Sequence, residues 1–287
     1  MNPGIPIAFL AAVFSFSKDI VSKHLSFKVS SLVSTLASFA YSLPFYILAL
    51  IVSWSFGQES FLLSKSFFIF VLLRSLTDVF AENFKMRSLE KGDISLVSPF
   101  ISLSPVFLIF LSPLLTGESI SLIGTIGIIL TVVGCLVVFG KFSLDKLGKS
   151  FHVVLTSLAS AFFFALNGCF DWLAVHEATP IMSGFAMSLC SALLILPFIR
   201  SEPKWKGQLI ANKKAFLLRG FFETAFMTAK LAALQFISAH YVSALVKTAI
   251  LGSIIAGGVV FKEKDISRKL IGAALIIVGA AIIIFEL

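Results

Sequence analysis

Ten apolar stretches, each about long enough to cross a lipid bilayer, follow one another along this chain with only short polar breaks between them. A spanning helix needs about 20 mostly apolar residues. The stretches run over about 5–24, 31–55, 66–86, 94–115, 121–140, 151–175, 180–199, 214–235, 239–261 and 267–286. A soluble domain carries about 45–50% apolar and about 25% charged residues. Here 58% of residues are hydrophobic and 13% charged, with a mean hydropathy of +1.01. A soluble fold cannot hide that much apolar surface, so the expected class is an all-α membrane protein. Breaks fall at polar or glycine-containing stretches such as Gly57-Gln58-Glu59, Lys91-Gly92-Asp93 and Thr116-Gly117-Glu118, with Ser121 and Ser267 placed as N-caps of the fifth and tenth helices. The first apolar run has no basic cluster before it and no clear cleavage site after it, so it reads as a retained helix.

The chain also repeats itself. At an offset of 153, Ser30 meets Ser183, Ser38 meets Ser191, and Pro44-Phe45 meets Pro197-Phe198. After an eight-residue deletion the offset becomes 145, and Leu72-Leu73-Arg74 meets Leu217-Leu218-Arg219. Val97-Ser98 then meets Val242-Ser243, Glu118 meets Glu263, and Gly127 and Gly134 meet Gly272 and Gly279. The expected organisation is therefore two five-helix repeats, 1–145 and 146–287. An odd number of helices per repeat inverts the second half relative to the first. Loop charge agrees. Loops after odd-numbered helices hold 16 Lys and Arg, whereas the other loops and both tails hold only Lys65. The positive-inside rule then makes the basic loops cytoplasmic and puts both termini outside. The formal net charge of +8 comes mostly from those loops and does not point to nucleic acid.

Charge inside the spans is the functional signal. A charged side chain at the bilayer centre costs roughly 2.5–3.5 kcal/mol even on a lenient scale. Arg74, Asp78, Glu82 and Lys85 lie on one face of the third helix, and Arg219, Glu223, Met227 and Lys230 trace the same face of the eighth. They read either as a stripe that binds polar substrate groups or as ion pairs that fix packing, and both can hold. Lys18 and Asp171 are repeat equivalents of opposite charge, read as a gate across the two-fold axis or as two groups reaching toward an interface. Lys247, in the ninth helix, has no local neutralising partner in sequence, and its repeat counterpart is Ser102. It is a candidate contact for a carboxylate or phosphate, or a partner for Asp78 or Glu223 when the cavity is empty. Asn167 could meet substrate or a neighbouring helix. His240, at the start of the ninth helix, reads as interfacial. Glu118 and Glu263 read as structural, each just before a helix N-terminus where the dipole favours negative charge. Cys135, Cys169 and Cys190 sit in apolar runs without CxxC spacing, so no disulfide or metal site is expected. No nucleophile–base set, HExxH or phosphate-loop sequence is present, and neither an enzyme nor a cofactor is expected.

Ser98-Pro99 through Pro105 to Gly117-Glu118, the Glu263 counterpart and the two glycine pairs resemble the EamA-like branch of the drug/metabolite transporter superfamily. The second half departs from that pattern at Ile250, where the helix-four proline would stand, and at Lys262, which replaces glycine before Glu263. The resemblance implies movement of a small metabolite through a central cavity formed by helices one to four and six to nine. The mixed charges suit a polar, charged solute moved by alternating access, with proton coupling or solute exchange. A flippase for a lipid-linked or amphipathic substrate is the alternative. A monomer in a bacterial inner membrane, contacting lipid and solute, completes the expectation.

Overall fold

The computed structural model describes residues 2–26, 29–57, 63–91, 94–139, 151–200, 202, 204–252 and 266–287. Among these, the regular structure is entirely helical. In chain order the helices are α1 (Gly4–Ser26), α2 (Ser31–Ala40), α3 (Leu43–Ser55), α4 (Lys65–Lys91), α5 (Ile94–Ile101), α6 (Ser104–Leu115) and α7 (Leu122–Phe139). They continue as α8 (Phe151–Val175), α9 (Pro180–Ile199), α10 (Trp205–Ala211), α11 (Lys213–Leu234), α12 (Ala239–Val246) and α13 (Ile266–Glu286). In hydrocarbon every backbone N–H and C=O must be satisfied within the protein, and a helix does this inside one segment. Ser121 caps α7 as expected, accepting the Gly124 N–H at 2.9 Å. Ser267 instead falls inside the first turn of α13.

Six described spans are long and apolar enough to cross a membrane, and Leu122–Val138 is a shorter apolar helix. The six are Gly4–Ser22, Leu32–Ser55, Val97–Leu115, Phe151–Val175, Pro180–Ile199 and Arg268–Glu286. The helices α4 and α11 are long enough but stand outside this set, because they carry the repeated charges. The ninth expected stretch is described only as far as residue 252. Large side chains such as Phe56, Leu114 and Phe285 point outward, the arrangement lipid tails favour. Tyr46, Phe67, Leu108 and Leu231 fill the centre.

Three of the expected helices are interrupted. The second stops at Tyr41–Ser42, just before Pro44 at the start of α3. The fourth stops at Ser102–Leu103, just before Pro105 at the start of α6. Proline lacks the N–H that would continue the ladder, and its ring crowds the preceding turn. The ninth stops at Lys247–Thr248, the repeat equivalents of 102 and 103, with Ile250 where the proline would be. There the chain tightens to i→i+3 bonds, from Ile250 N to Lys247 O at 3.0 Å and from Leu251 N to Thr248 O at 2.9 Å.

The two halves pack reciprocally. α4 lies along α8, and α11, the repeat mate of α4, lies along α1. α7 and α13 lie against each other through glycine. A Cβ added at Gly127 would stand 3.0 Å from the Gly279 carbonyl oxygen, and one at Gly134 would stand 2.7 Å from that of Gly272. The pairing 127–279 and 134–272 makes the helices antiparallel. Each pair is the repeat image of the other, as a two-fold axis between the helices requires.

Candidate functional site

The charged faces of α4 and α11 both turn inward, that of α4 toward α8 and that of α11 toward α1, α2 and α8. On α4, the four-residue spacing of Arg74 and Asp78 brings Arg74 Nη1 to 2.6 Å from Asp78 Oδ2. The same guanidinium reaches across to α8, where its Nε lies 2.9 Å from Asp171 Oδ1. The second oxygen of Asp171 accepts from Lys230 Nζ of α11 at 2.6 Å. Asn167, one turn before Asp171, donates to Asp78 Oδ1 at 2.8 Å and accepts from the Thr77 hydroxyl. Arg74, Asp78, Asn167, Asp171 and Lys230 are thus one hydrogen-bonded network drawn from both halves of the chain. Asp171 is completely buried and stays so because each carboxylate oxygen has its own cation.

A second contact joins α1 to α11. Lys18 Nζ lies 3.3 Å from Glu223 Oε2 and 4.2 Å from the centre of the Phe226 ring, an ion pair with a cation–π contact beside it. Lys18 and Asp171, expected to face each other as a gate, therefore have different partners. Among the described residues no ion pair joins them. Lys85 pairs with Glu82 on its own helix at 3.2 Å.

Arg219 is the repeat mate of Arg74 but makes no ion pair among the described residues, although Glu82 lies within its electrostatic reach. Its Nη1 donates to the Ser34 carbonyl oxygen at 2.9 Å and approaches the Ser34 hydroxyl at 3.0 Å. Its Nε is buried without a partner among the described residues. Lys247 stands at the break after α12 and makes no ion pair among the described residues. It lies within electrostatic reach of Asp19 as well as of Lys230 and Lys85.

Several contributors escaped the sequence reading. Tyr46 of α3 is wholly buried, and its ring lies on Gly184 of α9, where a Cβ would come within 2.5 Å of the phenol oxygen. It stands within electrostatic reach of both Glu223 and Arg74. The sequence did carry a signal: with 32 Phe and three Tyr, a Tyr inside an apolar run marks a place where a hydroxyl matters. Ser34 and Thr77 gave none, since buried serine and threonine are common throughout these helices. His240 is fully buried instead of interfacial, 3.4 Å from the Ser112 hydroxyl. Glu118 is structural, but at a different helix from the one expected. Its Oε2 accepts the Ala239 N–H at 3.1 Å and so caps α12 in the other half, while Ser112 holds the same oxygen at 2.7 Å. Its counterpart Glu263 lies outside the described residues. Among the described residues, no three of His, Cys, Asp and Glu converge as metal ligands would.

A family model described as the EamA-like transporter family matches residues 2–140 and again residues 152–285. No curated protein matches the chain. Twenty-nine chains of solved structures do. One is a crystal structure 18% identical, aligned over 99% of this chain and 98% of its own, with a TM-score of 0.75. At that identity the likeness establishes the fold and nothing finer.

Proposed function

This chain belongs to the EamA-like transporter family, part of the drug/metabolite transporter superfamily, and from that premise we propose that it is a secondary transporter for a small, polar, charged metabolite. Ten spans, as two inverted repeats of five, rock about a site near mid-membrane. The antiparallel, reciprocal contact of α7 and α13 supports the inversion, and loop charge supports non-cytoplasmic termini in a bacterial inner membrane.

The observation that carries this reading is the matched pair of helix breaks, at Ser102–Leu103 and Lys247–Thr248. Breaks at corresponding positions of two repeats point to a binding site, because unwound backbone at membrane depth is tolerated where it lines a cavity or is buried in protein. Arg74, Asp78, Glu82, Lys85, Asn167, Arg219, Glu223, Lys230 and Lys247 are the residues proposed to serve the solute. Arg74–Asp171 and Lys18–Glu223 each tie the two halves together, so their exchange is the proposed means of alternating access. Lys18 and Asp171 keep a gating role through these separate partners. Coupling is to protons, through Asp78 or Glu223, or to counter-flow of a second solute, and one chain suffices because both repeats are fused.

Proteoliposomes screened with labelled amino acids, nucleotides and sugar phosphates test this. Uptake of at least one solute is expected. Arg74→Ala, Glu223→Gln and Lys247→Ala should each abolish that uptake while leaving the protein inserted. Normal uptake by all three variants would remove the proposed site.

A further inference from the structure

The central helices form two pairs, α4 along α8 and α11 along α1. Two contacts join one pair to the other. Lys230 of α11 holds Asp171 of α8, and Arg74 Nη2 of α4 approaches Met227 Sδ of α11 at 3.9 Å. Arg74 sits in the first half of α4, and Asp171 and Lys230 near the ends of α8 and α11. The pairs are therefore tied at the end away from the basic loops. At the basic-loop end, among the described residues, the ion pairs stay within a pair: Lys18 with Glu223, and Lys85 with Glu82.

The repeat supplies the missing tie. Arg219 is the mate of Arg74, and Glu82 is the mate of Met227. The repeat image of the Arg74–Met227 contact thus joins Arg219 to Glu82, where it would be an ion pair. Glu82 lies in the second half of α4 and Arg219 near the start of α11, both toward the basic loops. Glu82 gives Oε1 to Lys85, and Arg219 gives Nη1 to Ser34. The remaining Glu82 Oε2 and Arg219 Nε are both buried without a hydrogen-bond partner. A buried donor and a buried acceptor left unmade are each costly, and arginine cannot shed its proton to escape. The two side chains already lie within electrostatic reach of each other.

We propose that Glu82 and Arg219 form the closing ion pair of the basic-loop end, made in the alternate state of the transport cycle, when Arg219 leaves Ser34 and ties α11 to α4 as Arg74 and Met227 do now. Lys85, once released, has Asp19 of α1 within electrostatic reach, so its charge is not stranded. This rests on the transporter reading and deepens it by naming the contact that shuts the second gate.

The gate is measured apart from transport. Spin labels at Arg87→Cys on α4 and Lys213→Cys on α11, both exposed positions, report the separation of the helix pairs at this end. The full chain, with Cys135, Cys169 and Cys190 replaced by alanine, is held in lipid nanodiscs without solute, and pulsed dipolar spectroscopy reads the distances. A shorter and a longer population are expected. Glu82→Gln and Arg219→Gln should each lower the short-to-long ratio about 10- to 100-fold, the effect of losing one charge-assisted hydrogen bond. The double variant should lose no more than either single one, and Arg219→Lys should keep part of the short population. Lys85→Gln should act in the opposite sense, because it frees both oxygens of Glu82 for Arg219.

One unchanging distance, additive losses in the double variant, or a fall in Lys85→Gln overturns the proposal. So does coupling of Glu82→Gln to Lys18→Gln in place of Arg219→Gln, which would assign the acid to Lys18. Should Arg219→Gln fail to fold, the opposite responses of Glu82→Gln and Lys85→Gln decide. The transporter reading fails separately, by absence of uptake for every solute, which leaves the distance populations untouched. Uptake alongside one unchanging distance would leave that reading standing and remove this pair.

Discussion

Arg74 and Arg219 occupy equivalent places in the two repeats yet live in opposite surroundings. Arg74 lies between two carboxylates, Asp78 and Asp171, and Arg219 among the described residues bonds a serine. One position explains the difference. The repeat image of the Lys18–Glu223 pair is Asp171 with Asp78. Lysine against glutamate needs no mediator. Aspartate against aspartate repels, so Arg74 is drawn in to bridge them, and Lys230 comes from α11 to the remaining oxygen. Lys85, the image of Lys230, would find Lys18 at the matching place, and it turns instead to Glu82 on its own helix. A single charge reversal between positions 18 and 171 thus neutralises one side and leaves a guanidinium spare on the other. The lesson is that a repeated chain can keep its scaffold symmetric while the polar interior diverges.

Asp171→Ala should have the largest effect on that contrast. It strands Lys230 and leaves Arg74 with Asp78 alone, and breaking a buried pair costs about 3–5 kcal/mol. Unfolding of the purified protein in detergent measures it. An equal loss from Glu223→Ala, which strands only the partly exposed Lys18, would break the comparison.

The glycine contacts supply the symmetric control. Gly134→Ala and Gly272→Ala each drive a Cβ into the facing backbone, at 2.7 and 2.8 Å from a carbonyl oxygen. Each should cost about 1–3 kcal/mol, as overpacking does. Their losses should match within experimental error. A clear difference between them would show that the asymmetry extends into the scaffold.

The finest test is a double-mutant cycle between positions 18 and 219. Lys18→Asp recreates, beside Glu223, the acid pair that Arg74 bridges on the other side, and it should recruit Arg219 away from Ser34. Arg219→Gln should then be more damaging in the Lys18→Asp background than in the natural chain, with a coupling energy of about 0.5–3 kcal/mol. Simple additivity would show that Arg219 does not respond to position 18.

Much of the scaffold was legible before any coordinates. Apolar runs of spanning length and serine at a helix start act locally, so α1, α8, α9 and the N-cap of α7 lie where patterning puts them. The four-residue spacing of Arg74 and Asp78 is what lets them pair within one helix. Partner choice across helices was not legible. Position 18 and position 171 look like a matched pair in the alignment of the repeats, but symmetry relates them without making them neighbours. The helix break at Lys247 was equally hidden, because no proline marks it. Glu118 reads as a cap for the helix that follows it, and it caps α12 because the fold brings that N-terminus nearer.

By itself, the amino-acid order determined that this chain is helical, lives in a bilayer and is built twice over, since those properties follow from hydropathy and spacing along one strand of chain. Only the tertiary structure decided which charges meet and which are left over. Ion pairing depends on separations of a few ångströms between different helices, and whether Asp171 takes Arg74 or Lys18 is a matter of how α4, α8, α11 and α1 are set against one another.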